Sequence, residues 1–127
     1  MERPSRKLVR LKRSGEFRRV REEGVSFVGK WLVLGIWRSV GKVASEDSEP
    51  LSREVRFGVI TSRKVGGAVV RNLVRRRIRH LHRNQRGSVC GGVWCVTVAR
   101  FRAAQASFAE LEAEWRKLAK RAGVLLA

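Results

Sequence analysis

The sequence predicts an α+β sandwich around one small mixed sheet, and three observations carry that expectation. The stretches 26–39, 55–62 and 93–99 are apolar in the manner of strands, while 66–86 and 107–123 keep a helical period. A short amphipathic segment precedes them all, so the order is helix, strands, helix, strand, helix. The strand–helix–strand run over 55–99 predicts a parallel pair joined by a crossover helix. With 127 residues, 43% of them hydrophobic, the chain can build one domain with one modest core.

Residues 1–13, MERPSRKLVRLKR, read as a basic arm. Ser14 is the expected N-cap of a helix from Gly15 to Glu23, with Gly24 as its stop and Phe17 and Val20 on one face. Residues 26–39 read as one long strand. Alternation places Phe27, Gly29, Trp31, Val33, Gly35 and Trp37 on one face and Val28, Leu32, Leu34 and Ile36 on the other. Residues 40–54 form a polar loop, expected to be mobile. The strand at 55–62 sets Phe57, Val59 and Thr61 against Gly58 and Ile60, antiparallel to the first strand if the loop closes a hairpin. A turn at 63–67 leads into the long basic helix, a glycine-containing loop at 86–92 follows, and 93–99 is a strand. Ser107 and Glu110 fit a capping box at the start of the last helix, which Gly123 ends. One domain over 14–123 is therefore expected, with a tail at 124–127 and no internal repeat.

Charge is the strongest functional signal. Lys and Arg number 29 against 11 acids, a net charge of +18, which favours a polyanionic partner. No Asp or Glu lies between Val55 and Ala109, where twelve Lys or Arg occur. Cys90 and Cys95 match neither a zinc pair nor a redox CxxC, and read as free thiols of a reducing cytosol. No secretory signal is recognised, and no apolar run approaches the roughly 20 residues of a membrane span.

The segment GGAVVRNLVRRRIRHLHRNQR, residues 66–86, holds seven arginines. With Val70 at 0° and about 100° per residue, Val70, Leu73, Val74, Ile78 and Leu81 fall on a core arc. Arg71, Asn72, Arg75, Arg76, Arg79, His82 and Arg83 fall on a basic arc, while Arg77 lies inside the apolar one. Arginine rather than lysine suits phosphate forks and base stacking. A membrane surface, DNA, structured RNA or plain solvent are the partners to weigh. The helix's apolar side offers mainly Val, Ile and Leu, which a sheet can bury, and flanking strands argue against a groove-reading helix pair. RNA held through phosphates and shape is the reading that fits best.

Protein-borne catalysis finds no support in the residues. The central segment has no carboxylate cluster for metals. His80 and His82 lie about 200° apart on the helix and cannot share a phosphate; each is expected to be a surface or RNA-contacting residue. RKVGGAVV lacks the Gly-Lys-Ser/Thr of a Walker loop, although its glycine pair suits an anion-binding turn.

RFGVITSRKVGGAVVRNLVRRRIRHLHR resembles the signature of the bacterial ribonuclease P protein subunit family, through Ser62-Arg63-Lys64, Gly66, Ala68, Val69, Arg71, Asn72, Arg75, Arg76 and Arg79. RLKRSGEFRRVREEG and VTVARFRAAQASFAELEAEWRKL resemble the family's opening and closing segments. The resemblance implies an αβββαβα sandwich with a left-handed βαβ crossover, of the kind seen in the second domain of ribosomal protein S5. It also implies a cytoplasmic holoenzyme subunit whose partners are a catalytic RNA and precursor tRNA, with no membrane and no obligate protein partner. Catalysis would belong to that RNA, with Mg²⁺, and no metal or cofactor would be held by protein side chains. Arg63, Lys64, Arg71, Asn72, Arg75, Arg76, Arg79 and Arg83 are then expected to bind the RNA subunit. Arg13, Phe17, Arg21, Trp31, Trp37 and Ser62 are expected at the 5′ leader. The chain departs from the family pattern at Arg21 and Gly35, where aromatics are usual, so Trp31 or Trp37 is a candidate replacement. A ribosomal or RNA-chaperone type module without a processing role is the alternative.

Overall fold

The computed structural model describes residues 9–38 and 54–126. Residues 1–8 of the basic arm, Ser39 at the end of the first expected strand, 40–53 of the polar loop and Ala127, with the expectations attached to them, lie outside the described residues. The elements are β1 (Val9–Arg10), α1 (Ser14–Glu23), β2 (Val25–Val28), β3 (Leu32–Arg38), β4 (Arg56–Thr61), α2 (Ala68–Gln85), β5 (Val93–Ala99) and α3 (Phe108–Arg121). One mixed sheet runs β1-β4-β5-β3-β2. The predicted α+β sandwich is therefore the observed class, and β4 and β5 are the predicted parallel pair around α2.

The centre of the sheet follows from composition. Six of the seven residues of β5 are buried, as befits a strand covered on both faces. Both β4 and β3 pair with it, the first parallel and the second antiparallel. The expected hairpin between 26–39 and 55–62 is thus absent: β5 takes the seat between them. Alternation then divides the core. Leu32, Leu34, Ile36, Phe57, Val93 and Cys95 face α2 and α3, where Val74, Ile78, Leu81, Leu111, Trp115 and Leu118 complete the main core. Trp37, Trp94 and Val96 point the other way and join Val20 and Leu11 beneath α1.

The described residues of the expected strand, 26–38, do not form one strand. They break at Gly29–Trp31 into the antiparallel pair β2–β3, with Val28 opposite Val33. The Gly29 N–H donates to the Leu32 carbonyl at 2.8 Å. The Glu114 carboxylate of α3 accepts the N–H groups of Lys30 (2.8 Å), Trp31 (2.7 Å) and Leu32 (2.7 Å). A Cβ at Gly29 would lie 2.6 Å from the Glu114 carboxyl carbon, so only glycine lets that carboxylate close on the turn. The break also reverses the expected face of Phe27. It pairs with Leu34 and packs on the main core, as does Trp31.

The last helix starts as expected, with Glu110 and Ser107 exchanging bonds of 2.8 and 3.1 Å. At α1 the cap is shifted by one residue: Arg13, not Ser14, precedes the helix. The Glu16 carboxylate accepts the N–H groups of Lys12 (2.8 Å) and Arg13 (3.1 Å), and a carboxylate can reach both where a serine would serve one. At the other end, Val124 is buried and Leu125 bridges to Val89.

Candidate nucleic-acid interface

Helix α2 emerges from a short 3-10 turn at Arg63–Val65 and a glycine pair, where Gly66 takes φ +151°. Its buried residues are Val74, Ile78, Leu81, His82 and Gln85. The core arc is therefore rotated by roughly 50° from the one periodicity predicted, at about 100° per residue. Leu73 is left 42% exposed and Val69 83% exposed, while His82 turns inward at 2%.

His82 is the clearest departure from expectation. Its Nε2 lies 2.8 Å from the Thr97 hydroxyl, which also accepts from Trp115 Nε1 at 3.0 Å. The ring sits 4.8 Å from Phe57 and 6.2 Å from Trp115, centroid to centroid. Burial, then the Arg79 and Arg10 charges, push its pKa down to about 3. It is a neutral core residue rather than a surface contact. Arg77 also finds its place: half-buried against the 3-10 turn before α3, it donates to the Ala106 carbonyl at 3.1 Å.

The remaining arginines line the outside of α2 in two settings. Along the β4 edge, Arg75 donates to Thr61 Oγ1 (2.7 Å) and Asn72 Oδ1 (2.9 Å), which aims its guanidinium over the end of the sheet. Arg71 is half-buried, with a buried Nε that has no hydrogen-bond partner among the described residues. Arg79 lies with Arg10 and Lys12 around a cavity of about 260 Å³ that reaches Phe17. Burial and then the charges of Arg10, Arg75 and Arg83 lower the Arg79 pKa. On the outer surface, Asn72, Arg76 and Arg83 are exposed, as are Arg63, Lys64 and Ser62 on the approach to the helix. Among the described residues no α2 arginine joins an ion pair; the ion pairs there belong to Arg56, with Glu16 at 2.6 Å and Glu54 at 2.9 Å. Such concentrated, unneutralised charge is the electrostatic footprint of a polyanion-binding face. Among the described residues no three His, Cys, Asp or Glu side chains come together as a metal site.

The opposite face of the sheet carries the second surface. Phe17 of α1 lies over Gly58, where a Cβ would come within 2.6 Å of its ring. Beyond α1, the register aligns Val28, Val33, Val98 and Ile60 in a row across β2, β3, β5 and β4. Val28 is 58% and Ile60 38% exposed, and the two between are half-buried. This open apolar strip beside Phe17 went unnoticed in the sequence, although the period of two in VRFGVITS and VWCVTVA encodes it.

The candidate leader residues are not all brought to that strip. Arg13, Phe17 and Arg21 stand on or next to α1. Trp31 lies on the other side of the sheet, with Lys30 4.6 Å from its ring centroid. Trp37 is on the α1 side but buried. Its ring packs on Trp94 at 4.6 Å, with the Arg19 guanidinium 5.4 Å above it. Neither tryptophan offers an open face where the sequence suggested a replacement for the missing aromatics. Arg10 and Lys12 beside Arg79 were also not foreseen, because their neighbour is distant in the chain.

A family model for ribonuclease P matches residues 6–123. A ribonuclease P protein component of Streptococcus pneumoniae is 33% identical over 107 residues, 84% of this chain and 78% of that protein. One from Chloroflexus aurantiacus is 42% identical over 74 residues, 58% of this chain, and that match spans about half (47%) of the relative's length. Among solved structures, the Staphylococcus aureus RNase P protein superposes with a TM-score of 0.76 at 22% identity, covering 94% of this chain and 100% of that one. The Thermotoga maritima RNase P protein gives 0.69 at 23%, covering 91% and 97%. The structural matches establish a shared fold.

Proposed function

The chain belongs to the ribonuclease P protein family, and from that premise we propose that it is the protein subunit of the RNA-based endoribonuclease that removes the 5′ leader from precursor tRNA. The observation that carries this reading is the outer face of α2, where Arg71, Arg75, Arg76, Arg79 and Arg83 stand with no ion-pair partner among the described residues. Guanidinium groups so arranged bind phosphates in forks and repel one another until they do. In this reading they dock the catalytic RNA, joined by Arg63, Lys64 and Asn72. Catalysis lies with that RNA and the Mg²⁺ on its phosphates, and the protein operates in the cytoplasm.

The strip beside Phe17 holds the leader. Phe17 offers a ring for one base, Arg13 and Arg21 offer charge to the backbone, and Val28, Val33, Val98 and Ile60 offer a flat apolar floor. With Gly35 covered by Val20 and Trp37 buried, fewer bases stack than the family pattern implies, and charge contributes more. Holding the leader and the RNA together broadens the range of substrates and lowers the Mg²⁺ needed.

Reconstitution with a bacterial ribonuclease P RNA tests this. Added protein is expected to stimulate precursor cleavage at low Mg²⁺, and absence of stimulation would leave an RNA-binding module without a processing role. Phe17→Ala is expected to reduce affinity for leader-bearing precursor more than for mature tRNA. Equal losses on both would remove Phe17 from the leader site.

A further inference from the structure

A groove of about 350 Å³ runs between α2 and the first turn of α3, lined by Leu73, His80 and Phe108 and by Arg76, Arg79 and Arg83. It exists because of the rotation of α2: Leu73, turned out of the core, stays 42% exposed. His80 and Phe108 meet edge to face, with centroids 5.0 Å apart and planes at 70°. The floor is thus apolar and aromatic while the rim is cationic. Acids of the facing helix are committed elsewhere, Glu110 to Ser107 and Glu112 to Gln85 and Asn84. Arg77, which also borders the groove, is tied to Ala106.

Phosphate alone would use the rim and leave the floor idle. A ligand with an anionic group and a flat π-face attached to it uses both. We propose that this groove is a nucleotide pocket that receives one unpaired base of the RNA partner against Leu73, His80 and Phe108, with its flanking phosphates on Arg76 and Arg83. The proposal rests on the reading of α2 as an RNA-docking helix and adds base recognition to phosphate binding. Stacking on an aromatic side chain tolerates any base, so the pocket selects for an unstacked nucleotide rather than for a sequence.

Two measurements test it. In the first, the isolated protein is titrated with AMP and with ribose 5-phosphate while the ring resonances of His80 and Phe108 are followed by NMR. AMP is expected to shift both rings saturably, and ribose 5-phosphate to bind at least about tenfold more weakly, since it lacks the stacking group. Equal binding of the two, or rings that do not move, would overturn the pocket. So would a hexaglutamate peptide that shifts the rings as AMP does, which would mark an acidic protein partner instead. The second measurement uses the holoenzyme RNA. Phe108→Leu, and His80→Ala at an exposed position in case the first variant folds poorly, are each expected to weaken RNA-subunit binding about five- to tenfold. The slope of log K against log salt should not change, because the phosphates keep their arginines. Arg76→Gln should lower that slope. A ring variant that changes the slope, or leaves affinity intact, would overturn the assignment. Ring shifts by AMP without stimulation of precursor cleavage would sustain the pocket and overturn the ribonuclease reading.

Discussion

At residue scale, His82 shows how little a side chain's type says about its position. A histidine amid arginines looks like a surface contact. Here Thr97 satisfies its Nε2, and Phe57 and Trp115 enclose the ring. The sign of the pH effect follows. The folded pKa, about 3, is below the ordinary value of 6.5, so the unfolded chain binds the proton first. The stability this residue contributes is complete above pH 6.5 and is lost as pH falls from there towards 3. Urea midpoints are expected to fall between pH 7.5 and 5 in the native chain. In His82→Gln the midpoint should start lower but change less over that interval, which lies mostly above the ordinary carboxylate range. Parallel curves would show that His82 does not titrate on unfolding.

At the scale of elements, the β2–β3 turn is held from a distance. Glu114 takes three backbone N–H groups that no strand would satisfy. Glu114→Gln turns one of the two oxygens into an N–H donor facing other donors. A loss of about 1–3 kcal/mol is expected in urea unfolding, the cost of a polar group left without a partner. Helix α1 depends on an equally close fit. Gly58→Ala would drive a methyl into the Phe17 ring, and a cost of about 1–3 kcal/mol is expected. Leader affinity should fall with it, measured as the ratio of precursor to mature tRNA binding. The rotation of α2 belongs to this scale as well. Periodicity located a core face and a basic face, but a bare wheel treats Leu73 as buried and His82 as exposed. Thr97, waiting on β5, reverses the two.

At the scale of the molecule, charge is separated by layer. The acids of α3 are spent on hydrogen bonds within the chain, at Ser107, at Gln85 and at the β2–β3 turn. Apart from Arg77, which is tied to Ala106, the arginines of α2 are left on its outside. Replacing Arg71, Arg75 and Arg79 together by Ala is expected to weaken RNA-subunit binding. It should also flatten its salt dependence by roughly 0.7–0.9 log units for each phosphate that is no longer neutralised. An unchanged slope would mean these arginines face solvent. Part of the loss at Arg75 will be structural, because it also ties α2 to Thr61; thermal melting of the same variant separates the two.

Sequence alone was enough for the class of fold, the parallel pair around α2, the Ser107 cap and the concentration of arginine on that helix. Each rests on short-range periodicity, local hydrogen bonding or net charge, and these are written in neighbouring residues. Tertiary structure alone decided the strand order, the break at Gly29, the burial of His82 and the sides taken by Trp31 and Trp37. Those depend on which distant partner satisfies a backbone N–H or a ring nitrogen. Glu114 lies more than eighty residues from the turn it closes, and β5 sits between strands that precede it in the chain. A pattern of period two or 3.6 names a face but not the surface it will meet. Only packing could place Leu73 outside and leave, between α2 and α3, an aromatic groove rimmed by arginine.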